Sequence, residues 1–454
     1  MVQLATLILS QRRFVGTARW VRWCSSEAAD PRQVPSSSTV NSSISNRQEL
    51  YMIDAVSPGS IFFLPHGTRL INKLVSFMKL QQMKLNFDEV MTPLLYRKSL
   101  WEKSGHWDNY KDDMFVVKSS RDDEKESFGL KPMNCPGHCL IYLRKDRSYN
   151  ELPIRYSDFS SLHRNEQSGA LSGLTRVRRF HQDDAHIFCT IEQIKDEINN
   201  NLRLVDTVYK TFGINDYKLL LSTRPSEKYI GELADWDAAE SNLKQVLEST
   251  GKKWEINEGD GAFYGPKVDI LLKDNFGKEH QSATIQLDFQ LPQRFKLTYK
   301  DSQGLLKTPV MIHRAIYGSI ERFLAILIDH YEGKWPFWLS PRQAIVLPVS
   351  NEHHLEFSQD FQKKLSGFNN DLNNAISLSK RDLFDVDMDS RSVGINRRIK
   401  NATQKGYNYI IVIGEKEING GQIAVRNCKT NQVEHYSSVD ELREKFVELT
   451  ESFQ

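Results

Sequence analysis

Between Leu50 and about Leu339, helical patterns alternate with strand-like runs, but no regular strand–helix–strand rhythm repeats. Apolar residues at helical spacing predict helices at Thr68–Leu85, Ile191–Thr211 and His313–Tyr331. Strand-like runs occur at Met114–Lys118, Lys218–Ser222, Lys267–Lys273 and Ala283–Asp288. Runs of strands separated by single helices favour an α+β domain with an antiparallel sheet over a doubly wound parallel sheet.

The pattern changes near Trp335–Pro341. Beyond it, short apolar strands such as Ala344–Val349 and Tyr409–Val412 alternate with helical patterns near His353–Ser366 and Val393–Lys405. This alternation predicts a smaller C-terminal α/β domain. Residues 48–339 and 340–454 are therefore predicted to form two domains.

The N-terminal segment is predicted to be a targeting sequence. Residues 1–26 contain four arginines and no acidic residue, and a Ser-rich stretch follows. This composition is typical of a mitochondrial transit peptide, and the alternative is a disordered basic tail without a targeting role. Residues 1–47 are predicted to be a presequence or disordered leader, and the protein is expected in the mitochondrial matrix.

Composition excludes several classes of protein. The net charge of +2 provides no global basic field, so any nucleic acid must be bound by local patches. Five cysteines in 454 residues are too few for a disulfide framework, which indicates a reducing compartment. No window approaches the roughly 18 consecutive apolar residues of a membrane-spanning helix, so no membrane partner is expected.

One cluster of arginines lies on a predicted strand–loop–strand. Arg164 and Glu166 precede a Gly-containing loop, and Arg176-Val-Arg178-Arg179-Phe180 follows it. Guanidinium groups bind phosphate bidentately and stay charged, so this hairpin suits an anionic partner. A solvated hairpin with internal ion pairs explains the residues equally well.

A second cluster lies in the helical pattern that begins at His313. Gly318 and Ser319 are small residues that allow a close approach, and Arg322 follows Gly318 by four positions on the same predicted helix face. Taken alone, an ordinary core helix with one exposed arginine is the better interpretation.

A third cluster consists of metal-ligand residue types in distant segments. Cys135 and His138 have the spacing of half a zinc finger, but no second pair follows, so a structural finger is poorly supported. Three ligands from separate segments, with His186 and His313 among them, would suit an open zinc site. A buried cysteine and hydrogen-bonded core histidines are favoured by these residues alone.

Taken together, the segments resemble one family. The order of 131–138, 164–166, 176–180, 182–189 and 309–323 is similar to that in threonyl-tRNA synthetases, a branch of the class II aminoacyl-tRNA synthetases. The similarity extends through 104–111 and 262–269 and covers the chain from Gln48 to its end. Residues 164–180 resemble class II motif 2, residues 318–323 motif 3, and the segment leading to Thr92-Pro93 motif 1.

The resemblance implies a substrate-binding zinc and a threonine pocket. Cys135, His186 and His313 would ligate one Zn²⁺, and His138 would be structural. A metal that requires a hydroxyl ligand separates threonine from the isosteric valine better than pocket shape does. The implied threonine-binding residues are Met133, Gln182, Asp184, Tyr264, Gln281 and Gln286, with Asp184 as the acceptor of the substrate hydroxyl.

The resemblance also implies an ATP site and catalytic groups. Arg164 would contact the α-phosphate, Arg176 and Arg322 the outer phosphates, and Mg²⁺ would accompany ATP. Glu166 and Phe180 would contact adenine. Lys267 would lie near the adenylate, and His106 would assist proton transfer when the tRNA hydroxyl attacks.

Partners follow from the same resemblance. The C-terminal domain would read the anticodon of tRNA(Thr), with Arg391, Arg397 and Arg398 in a stretch that has no acidic residue up to Gly414. A homodimer through the motif 1 region is implied. A catalytically inactive RNA-binding relative and a prolyl-type synthetase are the alternatives, and the arginines and the zinc trio argue against both.

Serine is the expected error of such an enzyme, because serine also carries a hydroxyl. Bacterial and cytosolic relatives carry an N-terminal editing domain, whereas the resemblance here begins near residue 48, so no editing domain in cis is expected. The purified protein should therefore attach measurable serine to tRNA, and rapid deacylation of seryl-tRNA would refute this.

Overall fold

The computed structural model describes residues 37–118, 127–227, 229–275, 277–368, 375 and 382–454. The α-helices are α1 (Ser37–Gln48), α2 (Pro65–Met83), α3 (Lys98–Ser104), α4 (His106–Tyr110), α5 (Cys135–Tyr142), α6 (Ile194–Thr211), α7 (Leu233–Ser249), α8 (Gln290–Phe295), α9 (Ile320–Tyr331), α10 (Asn351–Ser366), α11 (Ile395–Lys405), α12 (Glu415–Ile418) and α13 (Val439–Glu451).

The strands fall into one large sheet, one C-terminal sheet and several small ones. In chain order they are β1 (Tyr51–Met52), β2 (Phe62–Phe63), β3 (Asp88–Glu89), β4 (Leu95–Arg97), β5 (Val116–Val117), β6 (Phe128–Leu130), β7 (Ile154–Asp158), β8 (Ser161–His163), β9 (Arg179–His181), β10 (Asp184–Cys189), β11 (Lys218–Ser222), β12 (Trp254–Asn257), β13 (Lys267–Lys273), β14 (Glu279–Asp288), β15 (Tyr299–Lys300), β16 (Leu306–Lys307), β17 (Val310–Ala315), β18 (Ala344–Pro348), β19 (Val386–Met388), β20 (Tyr409–Ile413), β21 (Ile423–Asn427) and β22 (Val433–Tyr436).

The large sheet has the strand order β12-β11-β13-β14-β17-β10-β7-β3. Its inner pairs are antiparallel, and only the outermost pairs, β11 with β12 and β3 with β7, are parallel. Apolar side chains of α2, α6, α7 and α9 pack with those of the sheet in one continuous core. The predicted α+β domain with an antiparallel sheet is thus confirmed.

The helix predicted at His313–Tyr331 is wrong in its first part. Residues 310–315 form the central strand β17, and the helix α9 begins only at Ile320. Gly318 precedes α9 with a positive φ of 67°, and Ser319 caps the helix by accepting a hydrogen bond from the Arg322 backbone N. Gly318 and Arg322 therefore do not share a helix face. A short apolar run in a buried strand cannot be told from a helix by periodicity.

The C-terminal sheet has the order β19-β18-β20-β21-β22 and confirms the predicted smaller α/β domain. The pairs β18–β19 and β18–β20 are parallel, and β20–β21 and β21–β22 are antiparallel. Helices α10 and α13 pack on one face, where Phe361, Leu365 and Phe446 join the apolar core. Helix α11 contacts the sheet at β18.

The prediction of an unstructured leader is wrong for residues 37–47. They belong to α1, in which Ile44 is 5% and Ser45 1% exposed, because this helix packs against α9. Residues 1–36 lie outside the described residues. The boundaries at 47/48 and 339/340 stay predictions, since the described residues from Ser37 onward form one compact unit. Among the described residues, no helix is long and apolar enough to cross a membrane.

Candidate active site

A cavity of about 410 Å³ opens on one face of the large sheet. Its walls come from the β8–β9 hairpin, from β10, β13, β14 and β17, and from the start of α9. Among the residues that line it are all those predicted to bind ATP, threonine or metal, together with Lys267: Arg164, Glu166, Arg176, Phe180, Arg322, Met133, Gln182, Asp184, Tyr264, Gln281, Gln286, Cys135, His186 and His313. The fold thus brings residues from distant segments into one site.

The β8–β9 hairpin presents Arg164 to the cavity. The backbone N of Arg164 donates to the carbonyl of Arg178 at 2.8 Å, which holds the two sides of the loop together. The Arg164 guanidinium lies over the ring of Phe180, 5.0 Å from its centroid. Its Nε is buried and has no hydrogen-bond partner among the described residues. Such a group is ready to bind an anion, since a buried unpaired donor is costly.

Two further arginines face the same part of the cavity. Arg176 binds the Glu166 carboxylate, with Nη2 and Oε2 2.8 Å apart. Arg322 donates from Nε to the Thr175 carbonyl at 3.1 Å and from Nη1 to the Gln281 carbonyl at 3.2 Å. Burial and then repulsion from Arg164 and Arg176 lower the pKa of Arg322. Three guanidiniums beside one carboxylate leave an excess of positive charge, which favours a polyanion.

The metal-ligand residues meet at the bottom of the cavity. Strands β10 and β17 are paired so that His186 lies directly opposite His313, and Cys135 begins α5 beside them. One ligand atom from each of the three residues lies within 4.8 Å of the others, and all three side chains are buried. One thiolate and two imidazoles form a donor set that suits Zn²⁺, and three protein ligands leave a coordination position open. The residues present therefore fit a zinc ion.

Other buried groups orient these histidines. His313 Nε2 is hydrogen-bonded to Asp288 Oδ2 at 2.8 Å, and His186 Nδ1 is hydrogen-bonded to His138 Nδ1 at 2.8 Å. The remaining ring nitrogens, His186 Nε2 and His313 Nδ1, then face each other at 3.1 Å. Burial, followed by the neighbouring histidines, lowers the pKa of His186 well below its ordinary value, which keeps the ring neutral. A neutral ring held by a second group is the usual arrangement of a metal-binding histidine.

Asp184 lies on the wall of the cavity near the histidines. Its Oδ2 accepts hydrogen bonds from the backbone N and Nδ2 of Asn134 at 3.3 and 3.0 Å. Burial raises the pKa of Asp184 to about 6, while His313 and Asn134 oppose that increase. Asp184 is thus mainly ionised near neutral pH and can accept a hydrogen bond from a substrate hydroxyl or amine.

Polar residues of β13 and β14 form the opposite wall. Asp269 Oδ1 accepts from Gln281 Nε2 at 2.5 Å, and Asp269 Oδ2 lies 2.8 Å from Lys267 Nζ. Gln286 Nε2 donates to the Gly265 carbonyl at 3.1 Å. These contacts hold the predicted Lys267, Gln281 and Gln286 in fixed positions.

His106 is the predicted catalytic residue that does not line the cavity. It is fully buried behind Met133, with Nε2 2.7 Å from Met133 Sδ and Nδ1 2.7 Å from Ser104 Oγ. Burial, then His313 and Arg294, lowers the pKa of His106 to about 3, so the ring is neutral. The His106 ring thus supports the Met133 side chain from behind, and direct contact between His106 and a substrate would require Met133 to move.

The three predicted tRNA-binding arginines are not equivalent. Arg397 is exposed on α11, and Arg391 is exposed but bound to Asp389, with Nη2 and Oδ2 2.7 Å apart. Arg398 is 3% exposed and donates to the Asp389 carbonyl at 2.8 Å. The prediction of a tRNA contact is therefore corrected for Arg398, which stabilises the loop before α11.

Two important carboxylates were missed by the sequence analysis. Asp183 accepts from the backbone N of Ile316 and Tyr317 at 2.8 and 3.0 Å and lies 3.2 Å from Arg314 Nη1, so it fixes the turn before Gly318. Asp288, which holds His313, was also missed. Neither carboxylate has a local sequence signal, because its partners lie on other strands. The role of each carboxylate can be recognised only when the pairing of the strands is known.

Comparison with known proteins defines the class. Residues 115–331 match the family model of the tRNA synthetase class II core domain (G, H, P, S and T), and residues 343–449 match that of the anticodon binding domain. A solved prolyl-tRNA synthetase from Giardia lamblia has the same fold, with a TM-score of 0.67 at 17% identity over 92% of this chain and 81% of that one. Fold and site thus define a class II aminoacyl-tRNA synthetase.

The chain belongs to the threonine–tRNA ligase family. It is 53% identical to the mitochondrial threonine–tRNA ligase of Saccharomyces cerevisiae over 91% of this chain and 92% of that one. It is 49% identical to a probable mitochondrial threonine–tRNA ligase of Schizosaccharomyces pombe over 94% and 93%. A solved structure described as the RNA binding domain of threonyl-tRNA synthetase from Cryptosporidium parvum Iowa II matches with a TM-score of 0.82 at 44% identity, covering 90% of this chain and 98% of that chain. The predicted family is confirmed, and the mitochondrial relatives support the predicted location.

Proposed function

We propose that this protein is a mitochondrial threonine–tRNA ligase. A threonine carboxylate oxygen attacks the α-phosphorus of ATP, the bond to the β-phosphate oxygen breaks, and threonyl-adenylate and pyrophosphate form. A ribose hydroxyl at the 3′ end of tRNA(Thr) then attacks the adenylate carbonyl and releases AMP. The observation that carries this proposal is the joining of an arginine cluster and a metal-ligand trio in one cavity.

The arginine cluster is assigned to ATP. Arg164, with its unpaired buried Nε, neutralises the α-phosphate as charge develops, and Arg176 and Arg322 hold the outer phosphates with Mg²⁺. Phe180, against which Arg164 lies, and Glu166 contact adenine. Such chemistry depends on positioning and charge neutralisation, and both are provided by side chains that other contacts already fix.

The trio of Cys135, His186 and His313 is assigned to Zn²⁺. Bound zinc supplies a Lewis acid with an open position that a hydroxyl or amine can occupy and a methyl group cannot. Asp288 and His138 keep the two imidazoles oriented toward each other. Asp184 accepts the hydrogen bond of the threonine hydroxyl, and Met133, Gln182, Tyr264, Gln281 and Gln286 enclose the amino acid.

Residues 48–339 are assigned to aminoacylation and residues 340–454 to anticodon binding. Helix α1 is counted as part of the folded protein and no longer as part of the leader. Arg391 and Arg397 are retained as tRNA contacts because both are exposed. Lys267 remains assigned to the adenylate; its side chain lines the cavity and is held there by Asp269. His106 remains a proposed proton relay for the second half-reaction, although its ring lies behind Met133.

An apolar surface around motif 1 supports the proposed homodimer. Met91 is 85% exposed, and Leu94, Leu140 and Leu143 are 41–43% exposed, around a groove that Thr92 and Pro93 also line. Clustered exposed apolar side chains mark interaction surfaces. A second copy of the chain would cover them through the same surface.

Charge in this surface should break the dimer. The double variant Met91→Asp and Leu143→Asp should sediment near the chain mass of 52.5 kDa, whereas the wild type should sediment near twice that mass. Ile256→Asp is the matched control, because Ile256 is 54% exposed on β12, at the edge of the large sheet opposite to β3. A monomeric wild type, or a double variant that still dimerises, would contradict the assignment.

The proposed activity is tested by aminoacylation. The purified protein should attach labelled threonine to mitochondrial tRNA(Thr) in a reaction that requires ATP and Mg²⁺ and forms AMP. Proline is the control, because the prolyl enzyme shares the fold. Charging with proline, or no charging by a folded protein, would refute the proposed function.

A further inference from the structure

The end of α1 joins three parts of the fold. Gln48 is 2% exposed; its Nε2 donates to the Gly333 carbonyl at 2.7 Å, and its Oε1 accepts from Trp335 Nε1 at 2.8 Å. A Cβ on Gly406, after α11, would lie 2.3 Å from Gln48 Nε2. Gln48 therefore fills a space between the segment after α9 and the C-terminal domain, and only glycine at 406 leaves room for it.

Glu49 continues this contact into the C-terminal domain. Its Oε2 lies 2.5 Å from Arg342 Nη2 and 3.2 Å from Lys405 Nζ, and Arg342 Nη1 also donates to the Gln48 carbonyl. The Arg342 side chain is 1% exposed. Without the Glu49 charge, less negative charge would compensate the buried Arg342 guanidinium. The resulting loss of folding free energy is larger than that caused by removing an exposed ion pair.

Helix α2 makes a second contact with the C-terminal domain. Arg69 Nε lies 3.2 Å from Asp385 Oδ1, and Lys73 Nζ lies 3.1 Å from Asp385 Oδ2. The same two side chains donate to the carbonyls of Pro341 and Ser340 at 3.0 and 2.5 Å. The connecting segment 335–341 is thus bound by Gln48 at Trp335 and by α2 at Ser340 and Pro341.

We propose that these two contacts form an interdomain clasp that positions the C-terminal domain for full-length tRNA. The clasp consists of Gln48 and Glu49 with Arg342 and Lys405, and of Arg69 and Lys73 with Asp385. Such a clasp makes the distance between the anticodon site and the active-site cavity a fixed property of the enzyme. The tRNA 3′ end then reaches the adenylate without an ordering step in the protein. This inference rests on the proposed function, because it assigns the clasp a role in the second half-reaction.

The test compares substrates that do and do not span both domains. In the double variant Glu49→Gln and Asp385→Asn, we expect kcat/KM for full-length tRNA(Thr) to fall about tenfold or more, since small misplacements are costly in catalysis. Charging of an acceptor-stem minihelix and ATP–pyrophosphate exchange should stay within about twofold of the wild type, because neither requires the anticodon. Glu448→Gln, which removes a contact with Lys445 on α13, is the matched control and should change none of these rates.

A second measurement does not depend on activity. Arg342 is buried, so cleavage after it by trypsin requires the clasp to open, whereas Lys307, which is exposed on β16 outside the clasp, reports general accessibility. Cleavage after Arg342 should accelerate about tenfold or more in the double variant relative to cleavage after Lys307. Unchanged proteolysis, unchanged kcat/KM for full-length tRNA, or an equal loss with the minihelix would overturn the proposal. Absence of threonine-dependent exchange in the wild type would instead refute the proposed function.

Discussion

Replacing Arg164 by alanine is expected to slow threonine-dependent ATP–pyrophosphate exchange by about 100- to 1,000-fold, the usual effect of removing one donor from a developing oxyanion. The buried Nε of Arg164 has no partner among the described residues, and its guanidinium lies over Phe180. Because this buried nitrogen contributes no hydrogen bond to the fold among the described residues, alanine should leave the fold intact. The rate of exchange at saturating threonine and ATP measures the effect.

Two further variants define the cause of that loss. Arg164→Lys keeps the charge without the planar fork and should recover only part of the rate. Arg203→Ala, on the exposed face of α6, removes an arginine far from the cavity and should exchange at the wild-type rate. Exchange by Arg164→Ala within about threefold of the wild type would remove Arg164 from the proposed α-phosphate contact.

Replacing Cys135 by alanine is expected to abolish both zinc binding and threonine activation. The wild type should contain about one zinc per chain, and the variant close to none, because two imidazoles alone make a poor site. Metal content after dialysis and the exchange rate are measured on the same preparation. The metal measurement distinguishes a lost ligand from a damaged pocket.

Cys139 provides a matched control for this experiment. It lies on the same helix α5, is 0% exposed, and its Sγ is 3.9 Å from Met311 Sδ rather than at the metal trio. Cys139→Ala should lower stability by about 1 kcal/mol through a small cavity and should keep zinc and threonine-dependent exchange. Equal zinc content in the two variants would contradict the assignment of Cys135.

The sequence predicted the class of protein through side chains that lie close together along the chain. Arg164, Glu166, Arg176 and Phe180 are all on one hairpin, so their proximity follows from local structure. The antiparallel sheet was predicted correctly because runs of strands are separated by single helices in the sequence. Residues 313–315 were wrongly predicted as helix because they belong to β17, and a fully buried strand has no apolar–polar alternation.

The metal trio shows where local sequence reasoning ends. Cys135, His186 and His313 come from α5, β10 and β17, and nothing in their spacing reveals that His186 and His313 are cross-strand neighbours. From residues alone, a pair of Cys135 and His138 was as visible as the trio of Cys135, His186 and His313. Only the resemblance to the family favoured the trio over the Cys135–His138 pair. The pairing of β10 with β17 gives the physical reason, because it places His186 directly opposite His313.

The helix α1 shows a different limit. It lies in the Ser-rich stretch that follows the arginine-containing segment, so the sequence predicted a presequence or disordered leader there. The helix is instead held by its contacts with α9 and by Gln48, whose side chain bonds to the segment after α9. Tertiary packing overrides a weak local preference in this segment.

The most direct test of the proposed zinc-dependent threonine activation is ATP–pyrophosphate exchange before and after chelation. Exchange should be stimulated by threonine and not by valine, should disappear when zinc is removed, and should return when zinc is restored. Exchange that is independent of threonine, equal stimulation by valine, or full exchange after verified zinc removal would contradict the proposal.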